Sequence, residues 1–190
     1  MGLGIAAVQN TLELWQQGLL NTANKVVEMG SQELHLKTAD FEDMVNMAGV
    51  NNYEKENFPN LDNWPEKRPL CSSKSLYKML GINEYYSFDI NEELGSISHD
   101  FNLPFEDTTL YSQFDLVTDH GSCEHAFNIA ESYRTMHRLC KEGGLIVIAQ
   151  ALWGGNGYYL FDKPFFEGIA AANNYKIIFN SYTIFTGTKT

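Results

Sequence analysis

The chain has 190 residues, a length typical of one compact domain, and 44% of them are apolar against 19% that are charged. This composition excludes disorder over the whole length, because disordered chains are rich in charge and poor in aromatic residues. The net charge of −11 argues against nucleic acid as a partner, since a phosphate backbone would be repelled. We expect no membrane partner either, because the apolar runs are far shorter than the roughly 20 residues of a spanning helix.

We expect residues 1–190 to form a single domain with an insert at about 37–71. The three cysteines, Cys71, Cys123 and Cys140, are odd in number and show no paired spacing. Free thiols in a reducing compartment are therefore expected. No export or lipid-attachment signal is visible, and the expected location is the cytoplasm.

The first third of the chain predicts one helix, one strand and a long loop. Leu12, Trp15 and Leu19 fall at helical spacing and predict a helix over 11–20. The β-branched run that starts at Lys25 and leads to Gly30 predicts the first strand. Prolines and asparagines then predict that the insert is a loop with at most one or two helical turns. A loop of this length is either a lid or recognition segment, or a surface insertion without a role.

The remaining elements follow in a regular order. Helices are predicted over 72–80, 126–139 and 162–172, the second of them closed by the residues 141–144. Apolar or aromatic runs predict strands at 85–89, 96–99, 113–118 and 145–149, and a terminal hairpin at 175–186. Uniformly apolar strands suit a parallel sheet covered on both faces, so the order predicts an α/β sandwich.

Acidic residues stand at or just after the ends of three predicted strands, namely Glu28, Asp89 and Asp119. Ligands of open parallel sheets bind beyond these carboxyl ends. The carboxylate of Asp89 suits the two hydroxyls of a ribose, because each oxygen can accept one hydrogen bond. Gly30 and the amides that follow it could receive an anion. Helix caps and solvated loop carboxylates are the alternative interpretation.

Five segments resemble the class I S-adenosylmethionine-dependent methyltransferases, of the type 11-like kind. They are the first motif VVEMGSQ at 26–32, the strand ends at 88–90 and 114–125, the turn at 99–105 and the double-glycine segment at 136–145. The resemblance runs from Lys25 to the C-terminus apart from the insert. It implies a Rossmann-like sandwich with a mostly parallel seven-stranded sheet and helices on both faces.

The resemblance also implies S-adenosylmethionine as cofactor and assigns its binding residues. The methionine part would be contacted by Glu28, Gly30 and Gln32, and the ribose by Asp89 and Ile90. The adenine would be contacted by Asp100 and Phe101, and the sulfonium by Asp119. The family has glycines where this chain has Gln32 and Leu34.

Two histidines are candidate catalytic bases. His120 follows Asp119 directly, and we expect Asp119 to orient the imidazole or to balance the charge of the sulfonium. His125 opens the next helix. An imidazole titrates in the range useful for taking a proton from a hydroxyl or ammonium acceptor. Packing or capping is the alternative role for His125, and lining the cofactor pocket is the alternative role for His120. No metal site is expected, because the ligand spacing is incomplete.

The leading functional hypothesis is a methyltransferase acting on a small-molecule or saccharide-like acceptor. Trp153, Tyr158 and Tyr159 offer flat faces to such an acceptor, and packing is the competing role for them. The alternatives are a binding or scaffolding protein that has lost turnover and an NAD-dependent oxidoreductase, whose ribose Asp89 could equally hold. The sequence does not indicate an oligomeric state.

Overall fold

The computed structural model describes residues 2–51 and 71–184. Within these ranges the strands are Gly2–Gly4 (β1), Lys25–Met29 (β2), Glu33–His35 (β3), Glu84–Phe88 (β4), Phe114–His120 (β5) and Cys140–Ala149 (β6). The α-helices are Ile5–Gln16 (α1), Thr38–Ala48 (α2), Lys74–Met79 (α3), Ile129–Leu139 (α4) and Lys163–Ala172 (α5). No helix in the described ranges is long and apolar enough to cross a membrane.

Four of the strands form one parallel sheet in the order β4-β2-β5-β6. Val27 of β2 lies in register with Tyr86 of β4 and Val117 of β5, and Val117 in turn with Ile146 of β6. The strands β1 and β3 pair separately, also in parallel. The α/β class and the parallel sheet are confirmed, but the expected count of seven strands in one sheet is wrong for the described residues.

Alternating side chains divide the core into two layers. Val26 and Leu116 point into the layer formed with α1, α2 and α3. Val27 and Val117 point to the opposite face, where α4 contributes Met136. Helices therefore cover both faces of the sheet, as the apolar strands predict.

The first half of the chain differs from expectation in two helices. The helix α1 begins at Ile5 rather than 11, because Val8 extends the buried stripe that includes Leu12. The helix α2 occupies part of the predicted loop, since Phe41 and Val45 bury one of its faces. The rest of the expected lid, 52–70, lies outside the described residues.

Three predictions in the second half are wrong. The short strand at 96–99 is reduced to one bridge between Phe88 and Ile97. The residues 141–144 belong to β6 instead of closing a helix, since β6 already pairs with β5 at Cys140. The tail 175–184 contains no strand, and residues 185 and 186 of the predicted hairpin lie outside the described ranges.

Candidate functional site

The candidate site lies where the strand order reverses. The chain passes from β2 to β4 on one side and later to β5 on the other, so the carboxyl ends of β2 and β5 are adjacent. Met29 is in register with Asp119, which places Gly30 alongside His120. Such a switch point is where open α/β sheets bind their ligands.

Position 30 requires a glycine, both for its backbone conformation and for the space around it. Its φ of 106° lies in the region that favours glycine. A Cβ atom there would lie 2.0 Å from Ser122 Oγ and 2.8 Å from Gln32 Nε2. The loop after β5 therefore packs directly against the turn after β2.

Gln32 ties these two loops together. Its Nε2 donates to the carbonyl of Met29 at 3.0 Å and to Ser122 Oγ at 2.7 Å. Its Oε1 is buried and has no hydrogen-bond partner among the described residues. One amide atom of Gln32 is thus structural and the other is still available to a ligand.

Asp119 is fully buried at the end of β5. Its Oδ1 accepts from the backbone N–H groups of Ser122 at 2.9 Å and Cys123 at 3.2 Å. Its Oδ2 accepts from Gln150 Nε2, whose own Oε1 lacks a partner in the described ranges. Burial raises the pKa of Asp119 to about 6 despite the hydrogen bonds that lower it.

His120 is 7% exposed, and neither ring nitrogen has a hydrogen-bond partner among the described residues. Burial lowers its pKa to about 4, so the imidazole is neutral at pH 7. The expectation that Asp119 orients this imidazole is wrong. Successive residues of a strand point to opposite faces, and both Asp119 oxygens are bonded to other groups.

Asp89 follows β4 and is half-buried. Its Oδ2 accepts from the backbone N–H of Ser31 at 2.8 Å, and its Oδ1 accepts from that of Asn91 at 3.1 Å. The first amide after Gly30 is therefore engaged by a carboxylate and is not open to an anion. Ile90, next in the chain, is 68% exposed.

Glu28 points away from the strand ends into the core. It is fully buried, and its carboxylate accepts hydrogen bonds from four hydroxyls. The donors are Ser73, Tyr77 at 2.8 Å, Tyr85 at 2.7 Å and Thr118 at 3.4 Å. Burial raises the pKa of Glu28, an effect these bonds oppose. The structure does not bring this carboxylate to the candidate site.

The turn after the bridge at Ile97 holds the predicted adenine-side residues. Asp100 Oδ1 accepts from the backbone N–H of Asn102 at 2.9 Å and from its Nδ2 at 2.7 Å, and these bonds lower the pKa of Asp100. Phe101 packs edge-on against His99, with ring centroids 5.7 Å apart. The carboxylate is engaged locally, while His99 also contacts the rings of Phe88, at the end of β4, and Phe105.

Glu124 anchors the loop that follows β6. Its Oε2 accepts from the N–H of Ala151 at 3.1 Å, and its carbonyl accepts from the N–H of Tyr158 at 2.8 Å. His125 Nε2 lies 3.7 Å from Glu124 Oε1, and the His125 side chain is 35% exposed. His125 is therefore beside this anchor, and it does not open the next helix, because α4 begins at Ile129.

Exposed aromatic side chains stand on the loops after β5 and β6. Phe127, Trp153 and Tyr158 are 77%, 83% and 71% exposed. The rings of Phe127 and Tyr158 meet edge to face at 6.4 Å. Tyr159 instead turns inward, and its hydroxyl donates to the carbonyl of Phe127 at 2.6 Å.

The sequence did not predict the contacts made by Ser31, Ser122, Glu124 and Gln150. A usable signal existed for Gln150, a polar residue directly after a uniformly apolar strand. Within the described ranges, no group of three or more His, Cys, Asp or Glu side chains is arranged to hold a metal ion. A depression of about 400 Å³ lies at the opposite, amino-terminal edge of the sheet, lined in part by Trp15, Val50 and Met79.

Comparison of the chain with protein-family models, curated proteins and solved structures finds no match.

Proposed function

We propose that the protein is an S-adenosylmethionine-dependent methyltransferase that acts on a small-molecule or saccharide-like acceptor, with a Rossmann-like fold. The observation that carries the proposal is the position of Asp89. It ends the strand next to the switch point and bonds to the turn after β2. A carboxylate in that place is suited to a ribose, because two of its roughly four lone-pair positions are still available.

The polar groups left open at the strand ends fit a polar ligand. Gln32 Oε1, Gln150 Oε1 and both nitrogens of His120 are buried without partners in the described part of the chain. Buried polar atoms rarely stay unbonded, so such a group of them calls for a ligand or ordered water. Asp89 would hold the ribose, and Phe101 would lie beside the adenine.

The bound cofactor would supply an activated methyl group, and the residues of this chain would align the acceptor and take its proton. His120 is neutral at pH 7, so its lone pair is free to accept that proton. A pKa of about 4 makes it a weak base, and we place its contribution near the lower end of the usual 10²–10⁴-fold. Asp119 and Gln150 would stabilise the positive charge of the donor.

The acceptor would rest on the exposed aromatic side chains of the loops after β5 and β6. Phe127, Trp153 and Tyr158 stand on the loops that leave β5 and β6, at the same edge of the sheet as His120. The face of an aromatic ring packs well against the C–H face of a sugar or against another planar ring. This placement supports a saccharide-like or planar acceptor.

Isothermal calorimetry with S-adenosylmethionine and S-adenosylhomocysteine tests the proposal. We expect Asp89→Ala to weaken binding about tenfold or more, since hydrogen bonds to a charged group contribute about 1.5–3 kcal/mol. Asp89→Asn keeps an acceptor for the N–H of Ser31. It therefore separates the effect of losing the charge from the effect of losing the hydrogen bond that holds the turn after β2. Glu142→Ala, an exposed acid in β6, is the matched control. Absence of binding by the wild type, or equal binding by Asp89→Ala, would overturn the proposal.

A binding protein without turnover is the second candidate, and one observation favours it. The hydroxyl of Ser122 and the amide of Gln32 fill the space directly over Gly30. A cofactor could not approach that backbone closely without moving them. Binding of both cofactor forms, with no acceptor-dependent conversion of one to the other, would favour this candidate. Binding of NAD alone would instead favour an oxidoreductase.

A further inference from the structure

The outer edge of the main sheet is open. Within the described residues β6 is the last strand and pairs only with β5. Its residues 145–148 are all apolar and all only half-buried. Proteins usually protect an edge strand with charges, proline or a covering segment, and residues 145–149 carry no charge or proline.

The C-terminal tail, residues 175–184, is a second segment whose apolar side chains are not fully covered by the described residues. Six large apolar side chains in it are exposed, namely Tyr175 (38%), Ile177 (42%), Ile178 (45%), Phe179 (47%), Tyr182 (61%) and Ile184 (81%). Aromatic and β-branched residues of this kind favour a strand. Yet the backbone of 176–184 makes no hydrogen bond to any other described residue.

The tail leaves the body of the protein near the open edge. The hydroxyl of Tyr175 lies 2.6 Å from Nδ1 of His137, in the last turn of α4. That helix runs directly into β6 at Cys140. The tail is thus held at the amino end of β6 while the strand beside it stays unpaired.

The charge of the tail favours association with an acidic surface. Residues 173–184 contain Lys176 and no acidic residue, whereas the whole chain carries −11. A second copy of the chain is such an acidic body. Two copies would otherwise repel each other, so contact is least costly through this segment.

We propose that two copies of the chain associate by reciprocal strand addition, the tail of each copy pairing with the open edge of β6 in the other. This exchange of tails gives hydrogen-bond partners to the open edge and to the tail of both copies. It is closed by a two-fold axis, so assembly stops at the dimer. Main-chain hydrogen bonds to the edge would give affinity, and the alternate apolar side chains of the tail would pack beside the half-buried side chains of 145–148 on both faces of the sheet.

Sedimentation velocity over a range of concentrations, with the full chain, tests this pairing. The wild type is expected to move from one-chain to two-chain mass as concentration rises. Phe179→Asp should raise the dissociation constant by more than about tenfold, because it places an unpaired charge in the buried contact. Phe179 is 47% exposed in the single chain, so the variant should keep the wild-type circular dichroism. Met47→Asp, at an 85% exposed apolar site on α2, is the matched control.

Hydrogen exchange adds a readout at the edge itself. Amides of 145–149 should exchange more slowly as wild-type concentration rises, and not in Phe179→Asp. A wild type that stays monomeric at all concentrations would overturn the proposal. A monomer in which Phe179→Asp speeds exchange of the amides of 145–149 would also overturn it, because the tail then pairs with β6 of its own chain. A dimer unaffected by Phe179→Asp, or open-ended assembly into larger species, would also overturn it. None of these results depends on cofactor binding.

Discussion

Two fully buried carboxylates lie on opposite faces of the same sheet, and their surroundings differ. Glu28 in β2 accepts only hydroxyl groups, which come from the core on the side of α1 to α3. Asp119 in β5 accepts backbone amides from the loop that follows it and the amide of Gln150. Burial raises the pKa of both. Burial alone therefore does not identify a functional acid.

The two carboxylates differ in which parts of the structure supply their hydrogen-bond donors. The partners of Glu28 belong to elements that pack the core, and removing this acid would affect folding above all. The partners of Asp119 belong to loops at the strand ends. Gln150, one of these partners, and the nearby Gln32 each keep a side-chain oxygen that has no hydrogen-bond partner among the described residues. A satisfied network indicates architecture, and a partly open one indicates a place for a ligand.

The largest effect is expected for Glu28→Ala. The change leaves buried hydroxyls of Ser73, Tyr77 and Tyr85 without their acceptor and opens a cavity, which together should lower the free energy of unfolding by about 3–5 kcal/mol. Urea denaturation measures this directly. Glu28→Gln keeps an acceptor of the same shape and should cost clearly less, with cofactor affinity unchanged. A Glu28→Ala variant with the wild-type urea midpoint would contradict the structural role.

His120 should make the protein less stable in acid. Its pKa is about 4 in the folded state against an ordinary value of 6.5. Between these values the unfolded chain binds the proton more readily, so stability is full above pH 6.5 and falls as pH falls towards 4. At 1.36 kcal/mol per pKa unit the loss is on the order of 3 kcal/mol. As pH falls from 7 to 4.5, we expect His120→Asn to gain stability relative to wild type, measured by urea midpoints. A difference in stability between the two proteins that does not change with pH would show that His120 does not contribute to the acid sensitivity.

Asp119 should act with the opposite sign. Its pKa is raised from 3.8 to about 6, so the folded protein binds the proton more readily in this window. Stability from this group is present below about pH 4 and is lost as pH rises through 6, by on the order of 3 kcal/mol. Relative to wild type, Asp119→Asn should gain stability as pH rises from 4 to 7. The same slope in both variants would contradict the assignment of the two groups to separate environments.

The central elements were predictable because their signal is local. The strands β2, β4 and β5 are short apolar or aromatic runs, and each lies within two residues of its predicted bounds. The full length of the helix α2 was not predicted, because the prolines and asparagines that follow it dominate the segment. The tail pattern does favour strands, but a strand needs a partner edge, which local sequence does not supply.

The site was predictable in part for the same reason. Strand-end acids such as Asp89 and Asp119 can be found from strand positions; Asp119 lies at the switch point and Asp89 follows the strand next to it. The direction of Glu28 could not be chosen in advance, because either face of a two-sided parallel sheet is buried. Ser122 enters through a loop, and its contact with Gln32 joins residues 90 positions apart.

The smallest effect is expected where one hydroxyl is removed beside each carboxylate. Ser122→Ala leaves Gln32 Nε2 bonded to the Met29 carbonyl and should cost about 0.5–1.5 kcal/mol in urea denaturation. Thr118→Val, which removes a long 3.4 Å bond to Glu28, should cost a similar amount or less. Only Ser122→Ala clears space over Gly30, so cofactor affinity measured by calorimetry should rise in this variant and stay constant in Thr118→Val. Equal affinities in both would show that the Ser122 hydroxyl does not restrict access to Gly30, and would weaken the case for a binding protein without turnover.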